Sequence, residues 1–292
     1  MNVAGAASDR AGREVAGRRL GLVLGGGGVA GVAWHAGVLC GLADAGVDLT
    51  AVDLVVGTSA GATVGAQLAG GLDPGELFRR QVDPATTASE LMPSVSLEEL
   101  WARMAPIYAA ASDDADRRRR LGAFALSADT VAEPVRRRVI EARLERVDWR
   151  GDRLRVVVVE ATTGERHVLA ASSGIDLVDA VTASCAVPGV WPPVTIAGSR
   201  YIDGGVWSVV NADLARGCDR ILVLAPLADP VVHDDVTHLA AAARVELITP
   251  DDASVGAFGA DVLDPASRGP SARAGRAQGR TEAARVVALL AA

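Results

Sequence analysis

Two short apolar runs, each ending in a cluster of glycines and resuming at helical spacing, open this chain and leave little choice of architecture. Residues 20–24 meet Gly25-Gly26-Gly27-Gly28, after which residues 32–45 carry Trp34, Val38, Leu39 and Leu42 at helical intervals. Residues 52–56 run into Gly57-Thr58-Ser59-Ala60-Gly61, and residues 62–69 read as a second helix closed by Gly70, Gly71 and Pro74. Strands that are apolar throughout are buried on both faces, so such units predict an α/β fold: a mainly parallel central sheet covered by helices, three layers deep. A chain of 292 residues, 50% hydrophobic and without a repeat of fixed period, suits a single domain of this kind over residues 20–292.

The rest of the chain fits that plan. Residues 74–128 are less regular, with helices expected near 76–81 and 97–104 and a charged stretch at 113–120, and form a candidate lid or cap. Asp129 or Thr130 is positioned to cap a helix over 134–146. Residues 154–160 and 166–171 flank a Thr-Gly-Glu turn and read as a hairpin, 176–185 as a helix, 194–202 as a strand pair, and 220–225 as a buried strand. Residues 239–248 and 281–290 look helical. The charged first nineteen residues lack the apolar segment of a signal peptide and are expected to be a disordered tail. Glycine clusters interrupt the longest apolar regions, near 20–43 and 51–72, which makes them poor membrane spans. Cys40, Cys185 and Cys218 lie in apolar text without metal-ligand spacing and read as buried thiols of a reducing compartment. The expected location is cytoplasmic, with peripheral attachment to a membrane left open.

Composition removes several chemistries. All 29 basic residues are arginine, so Schiff-base lysines and the lysine-dependent phosphate loop are excluded. A net charge of −7 argues against nucleic acid as a partner. What remains is written at three places. Gly57-Thr58-Ser59-Ala60-Gly61 is G-x-S-x-G between a buried strand and a helix, the context of a nucleophile elbow, where Gly57 and Gly61 leave room for the sharp turn. In Gly25-Gly26-Gly27-Gly28-Val29-Ala30-Gly31, consecutive glycines let backbone N–H groups converge on an anion. The same letters satisfy G-x-G-x-x-G from Gly26 to Gly31, but a nucleotide site expects an acidic residue ending the second strand. Here that strand runs straight into the serine. Asp203-Gly204-Gly205 ends a further predicted strand and offers a carboxylate where another backbone can approach.

In that order, the glycine loop, the serine elbow and the later Asp-Gly-Gly resemble the patatin-like phospholipases. The resemblance covers at least residues 20–205. Ala183-Ser184-Cys185-Ala186-Val187-Pro188 is similar to that family's Ala-Ser-x-Ala-x-Pro segment ahead of the aspartate. The resemblance implies the patatin-like α/β/α fold and a catalytic dyad of Ser59 and Asp203 without histidine. It also implies an oxyanion hole from Gly26, Gly27 and Gly28, supported by Gly31, Gly57, Gly61, Gly204 and Gly205. The substrate would be an acyl lipid, presented in or on a membrane surface, cleaved through an acyl-enzyme with no metal or organic cofactor and no nucleotide. Many relatives carry arginine or lysine where this chain has Ala30, so a role for that cation in anchoring a phosphate-bearing substrate is absent or moved.

Two other readings stay open on the sequence. An ordinary α/β-hydrolase esterase uses serine, acid and histidine in that order, which His233 or His238 satisfies, whereas His35 and His167 fall in structural positions. A catalytically silent lipid-binding relative would keep the fold without turnover. Arg117 to Arg120 stand beside Asp113, Asp114 and Asp116 and read as a self-neutralising solvated segment.

Overall fold

The computed structural model describes residues 19–227 and 230–291. Strand β1 (Leu20–Leu24), helix α1 (Gly28–Asp44), strand β2 (Leu54–Gly57) and helix α2 (Ala60–Ala69) form the two opening units. Helices α3 (Pro74–Val82), α4 (Leu97–Ala110), α5 (Asp114–Ser127) and α6 (Glu133–Leu144) follow. The chain then returns to the sheet through β3 (Leu154–Glu160), β4 (Arg166–Leu169), α7 (Leu177–Ser184), β5 (Val194–Ile196) and β6 (Ser199–Asp203). It closes with β7 (Arg220–Leu224), α8 (Pro230–Ala240), β8 (Arg244–Ile248), α9 (Asp252–Phe258) and α10 (Arg268–Ala291).

Among the described residues the strands make one sheet in the order β5-β6-β3-β2-β1-β7-β8, with β4 also on β3. The pairs β1–β2, β1–β7, β2–β3 and β7–β8 are parallel, whereas β3–β4, β3–β6 and β5–β6 are antiparallel. Successive side chains of a strand point to opposite faces, so Leu22 and Leu24 pack under α1, α2, α7 and α10, while Val23 packs with Val223, Val232 and Leu239 on the other side. This is a three-layer α/β/α arrangement.

Register explains how the later strands reach the first two. β4 covers one edge of β3 from Val156 to Val159. β2 and β6 must therefore share the opposite edge, with Gly57 beside Val156 and Asp203 beside Val158. They approach from opposite directions, so their C-terminal ends meet along that edge of β3.

Several boundaries differ from those the sequence predicts. Residues 244–248 form the parallel edge strand β8 and not part of a helix; the alanine run at 240–243 favours helix, but α8 ends at Ala240 and the alternating Arg-Val-Glu-Leu-Ile pairs with β7. Helix α6 starts at Glu133 after Ala132, with Pro134 in its first turn, so neither Asp129 nor Thr130 caps it. The charged stretch at 113–120 is itself helical, because Asp113 accepts from the Asp116 N–H and caps α5. Helix α10 begins at Arg268, well before residue 281: Gly275 and Gly279 lower its propensity but sit against the Trp34 and Val38 backbone, just as Gly37 and Gly41 meet the Ala272 and Arg276 carbonyls. Close packing of α1 on α10 replaces what local preference lacks. The expectation for residues 1–19 falls, apart from Arg19, outside the described residues. Among the described residues no helix is long and apolar enough to cross a membrane.

Candidate active site

Ser59 follows the last residues of β2 in a backbone conformation that L-residues avoid, φ 52° and ψ −113°, and α2 starts at the next residue. A side chain at Gly61 would strike the Leu24 carbonyl, and one at Gly57 would meet the Ala62 backbone at 2.6 Å, so both neighbours must be glycine. The strain is held by bonds on every side. The Ser59 N–H donates to Ser184 Oγ at 3.0 Å, and Ser184 Oγ donates to the Val157 carbonyl at 2.7 Å in the gap where β2 and β6 meet. The Cys185 thiol donates to the Ser59 carbonyl at 3.3 Å, and the Gly61 N–H to the Gly25 carbonyl at 3.1 Å.

Asp203 ends β6 with 5% of its surface exposed, against 7% for Ser59. Its Oδ1 accepts from the Gly205 N–H at 2.7 Å, while Oδ2 is sealed from solvent without a full hydrogen bond. Burial drives this carboxyl from an ordinary 3.8 up to about 7, and the nearby Ser59 hydroxyl and the Gly205 amide only partly oppose that rise. The serine thus lies within electrostatic reach of the carboxylate, short of a well-formed hydrogen bond, as is common before substrate binds. Asn211 ties the two strand ends together: its amide donates to Thr58 Oγ1 at 3.1 Å and to the Gly204 carbonyl at 3.3 Å.

Ser59, Asp203, Gly26, Gly27 and Gly28 line one cleft of about 210 Å³. Its walls are apolar, with Leu97, Leu100, Trp101, Met104 and Tyr108 of α4 on one side and Val187 and Leu263 on others. The segment at 74–128 therefore supplies one wall of the cleft.

A sequence profile of the patatin-like phospholipases matches residues 22–216. The chain belongs to the patatin-like phospholipase family. It is 27% identical over 226 residues to the lysophospholipase nte1 of Aspergillus fumigatus and, at the same identity, to that of Neosartorya fischeri. The match covers 74% of this chain but only 12% of either relative's length. Among solved structures, VipD from Legionella pneumophila aligns with a TM-score of 0.49 at 14% identity, over 92% of this chain and 67% of VipD. The type III effector ExoU aligns at 0.39 and 17% identity, over 92% of this chain and 53% of the effector.

Within this patatin-like framework the expected site residues need one adjustment. Gly26 cannot offer its N–H to an anion, because that group donates to the Val209 carbonyl at 2.7 Å. Gly27 and Gly28 stand at the N-terminal end of α1, where amides have no carbonyl one turn back to bond. Gly28 has φ 61° and lies so near the Val262 carbonyl that a Cβ would come within 2.7 Å of it. Ala30 is fully buried and its N–H donates to the same Val262 carbonyl at 3.0 Å, so residues around 262 cover this position.

Among the described residues no histidine lines the cleft. His233 and His238 lie on α8, and His167 on β4 packs edge-on against Tyr201. His35 is buried in α1 with Nε2 3.3 Å from the Leu224 carbonyl, and burial lowers its pKa to about 4. The arginines at 117–120 are mostly occupied as expected, Arg117 with Asp114 at 2.6 Å and Arg120 with Asp116 at 2.8 Å. Arg118 departs from that pattern, stacking 4.0 Å over the Trp207 ring and donating to the Gly164 carbonyl. All three cysteines are free and buried. Among the described residues no group of three or more His, Cys, Asp or Glu side chains is arranged to hold a metal ion. Ser184 and Asn211 are the supports that sequence reading missed. Ser184 lay inside the Ala-Ser-x-Ala-x-Pro segment, but nothing in the local text distinguishes Asn211.

Proposed function

We propose that this protein is a lipid acyl hydrolase that cleaves carboxylic esters of fatty acids, with Ser59 as nucleophile and Asp203 as its general base. The observation carrying this reading is a strained serine and a buried carboxyl of pKa about 7 sharing the floor of an apolar cleft. A carboxylate of ordinary pKa is a feeble base toward a serine hydroxyl, whereas one raised to about 7 is about half ionised at neutral pH and holds the proton more firmly once it has taken it.

In this mechanism Asp203 accepts the hydroxyl proton as Ser59 Oγ bonds to the acyl carbonyl carbon. The Gly27 and Gly28 amides and the positive end of α1 hold the oxyanion that develops. Loss of such a preorganised donor costs about 3–4 kcal/mol of transition-state stabilisation. Collapse of the tetrahedral intermediate returns the proton to the departing alkoxide and leaves an acyl-enzyme. Water, deprotonated by the same aspartate, then releases the fatty acid. The acyl chain would lie against α4, where Trp101 and Tyr108 are 53% and 43% exposed and suit a substrate met at a lipid surface.

Labelling by a fluorophosphonate, together with turnover of a fatty-acid ester panel, tests the reading. Ser59→Ala should abolish both, and Asp203→Asn should lower kcat on the order of a thousandfold. A double His233→Ala, His238→Ala protein should keep its turnover. Labelling that survives Ser59→Ala would end the proposal, and a chain that never labels would be a silent lipid binder.

A further inference from the structure

Near Ser59 three guanidinium groups converge on one carboxylate. Arg136 Nη1 lies 2.7 Å from Glu90 Oε1; Arg143 pairs with Glu90 Oε2, and Arg268 Nη2 stands 3.5 Å from that same oxygen. The side chains of Arg136, Arg143, Arg268 and Glu90 are only 5%, 10%, 10% and 4% exposed. Among the described residues no other carboxylate pairs with these arginines, which leaves two positive charges in surplus. Arg136 lies over the Trp191 ring, 3.8 Å from its centroid, and its buried Nε has no hydrogen-bond partner. Unbalanced buried charge is expensive, so such a cluster is poised to take a counter-anion.

The pocket beside the cluster is walled by Glu90, Arg136, Arg143 and Trp191, and reaches Ser59 and Gly28. Gly28, Ser59, Val187 and Leu263 belong equally to the apolar cleft, so the serine stands where a greasy space and a cationic one join. We propose that the cationic pocket is a phosphate subsite adjoining Ser59. A guanidinium fork matches two oxygens of a phosphoryl group, and the forks of Arg136 and Arg143, both paired with Glu90, line the pocket with that geometry set in advance. The free space is that of about two ordered waters, so phosphoryl oxygens enter by displacing water while the rest of a headgroup stays outside. In a glycerophospholipid only the glycerol carbons and their ester oxygens separate the acyl carbonyl from phosphorus, and Ser59 and the two arginines line one pocket. The phosphate comes from the bound lipid or from solution; assignment to the lipid rests on Ser59 being the nucleophile.

The test uses the wild-type chain, inorganic phosphate at constant ionic strength, and two esters of one acyl chain, lysophosphatidylcholine and the neutral monoacylglycerol. Phosphate should raise the melting temperature saturably, where chloride at equal ionic strength does not. If the phosphate belongs to the lipid, phosphate should compete with lysophosphatidylcholine and raise its KM, leaving the KM for the monoacylglycerol unchanged. Arg143→Gln should then lower the ratio of kcat/KM for the charged over the neutral ester about tenfold. A phosphate-dependent melting shift without competition against either ester assigns the subsite to free phosphate. No melting shift, with both esters equally indifferent to phosphate, overturns the subsite even if Arg143→Gln fails to fold. Should neither ester be hydrolysed, the catalytic reading fails by itself, and the melting shift still decides whether phosphate binds.

Discussion

Replacing Asp203 by asparagine should make the protein more stable while it destroys turnover, and only above a definable pH. The carboxyl titrates near 3.8 when unfolded and at about 7 when buried in the native chain. Below pH 4 it is protonated in both states and contributes nothing. Between about pH 4 and 7 the folded state binds a proton that the unfolded state has lost, so stability falls as pH rises; above 7 the full penalty of a buried charge is present. A rise from 3.8 to about 7 corresponds to about 4 kcal/mol, which for a domain of this size is a melting-temperature difference of roughly 10 °C. Asparagine keeps an oxygen for the Gly205 N–H, bonded at 2.7 Å in the wild type, and carries no charge. Thermal denaturation of both proteins from pH 4.5 to 8.5 reads the effect. Other carboxylates cancel in the difference, and any constant offset reports the packing of the amide. Only the part that grows up to pH 7 and then levels belongs to Asp203. A gap that stays flat across that range would show that the carboxyl pays no burial penalty and would remove the physical basis for treating it as the base.

Other consequences follow from the same geometry. With a base titrating at about 7, kcat/KM on a neutral ester should fall about tenfold between pH 8 and pH 6, and a profile flat over that range would exclude Asp203 as the titrating group. Asn211→Ala removes the amide that ties Thr58 to Gly204 and leaves alanine at φ 51°; it should cost about 2–3 kcal/mol in denaturant unfolding and depress kcat more than it raises KM. Gly37→Ala drives a methyl into the Ala272 carbonyl and should cost about 1–3 kcal/mol by prying α10 from α1, with esterase kinetics of the folded fraction unchanged.

How much of this was legible in the text depends on how local each cause is. The elbow at Ser59 was readable because its demands fall on immediate neighbours: an apolar strand before it, glycines two positions either side, small residues after it. The glycine loop was readable as a place where amides converge, but not which amides stay free. That Gly26 is engaged depends on Val209, and position 209 reaches the loop only through the path between β6 and β7. Edge strand β8 was misread for a similar reason, since residues 244–248 become a strand only because β7 lies beside them. The arginine cluster around Glu90 is invisible in the text: Glu90, Arg268 and the α6 pair Arg136 and Arg143 come from three separate stretches, and each is one charge among many.

Asp203 lies between these extremes, and the sheet shows why. Asp-Gly-Gly is ordinary turn text, and 144 positions separate it from the serine. The two meet because β4 occupies one edge of β3 and forces β2 and β6 onto the other, running toward each other with Gly57 at Val156 and Asp203 at Val158. Two strand ends that collide leave one β3 residue between them, Val157, without a strand partner on that edge, although β4 pairs with it on the other, and its carbonyl takes a donor from elsewhere. Ser184 supplies it and passes the same oxygen to the Ser59 N–H, so the bond that closes the gap in the sheet is also the bond that holds the strained turn. Removing that hydroxyl by Ser184→Ala would therefore orphan two buried backbone groups at once, and the strain at Ser59 would lose the partner on its N–H. The meeting of Ser59 and Asp203 is in this sense a by-product of how the sheet ends, which is why the serine and the aspartate can sit so far apart in the chain and still arrive at one place.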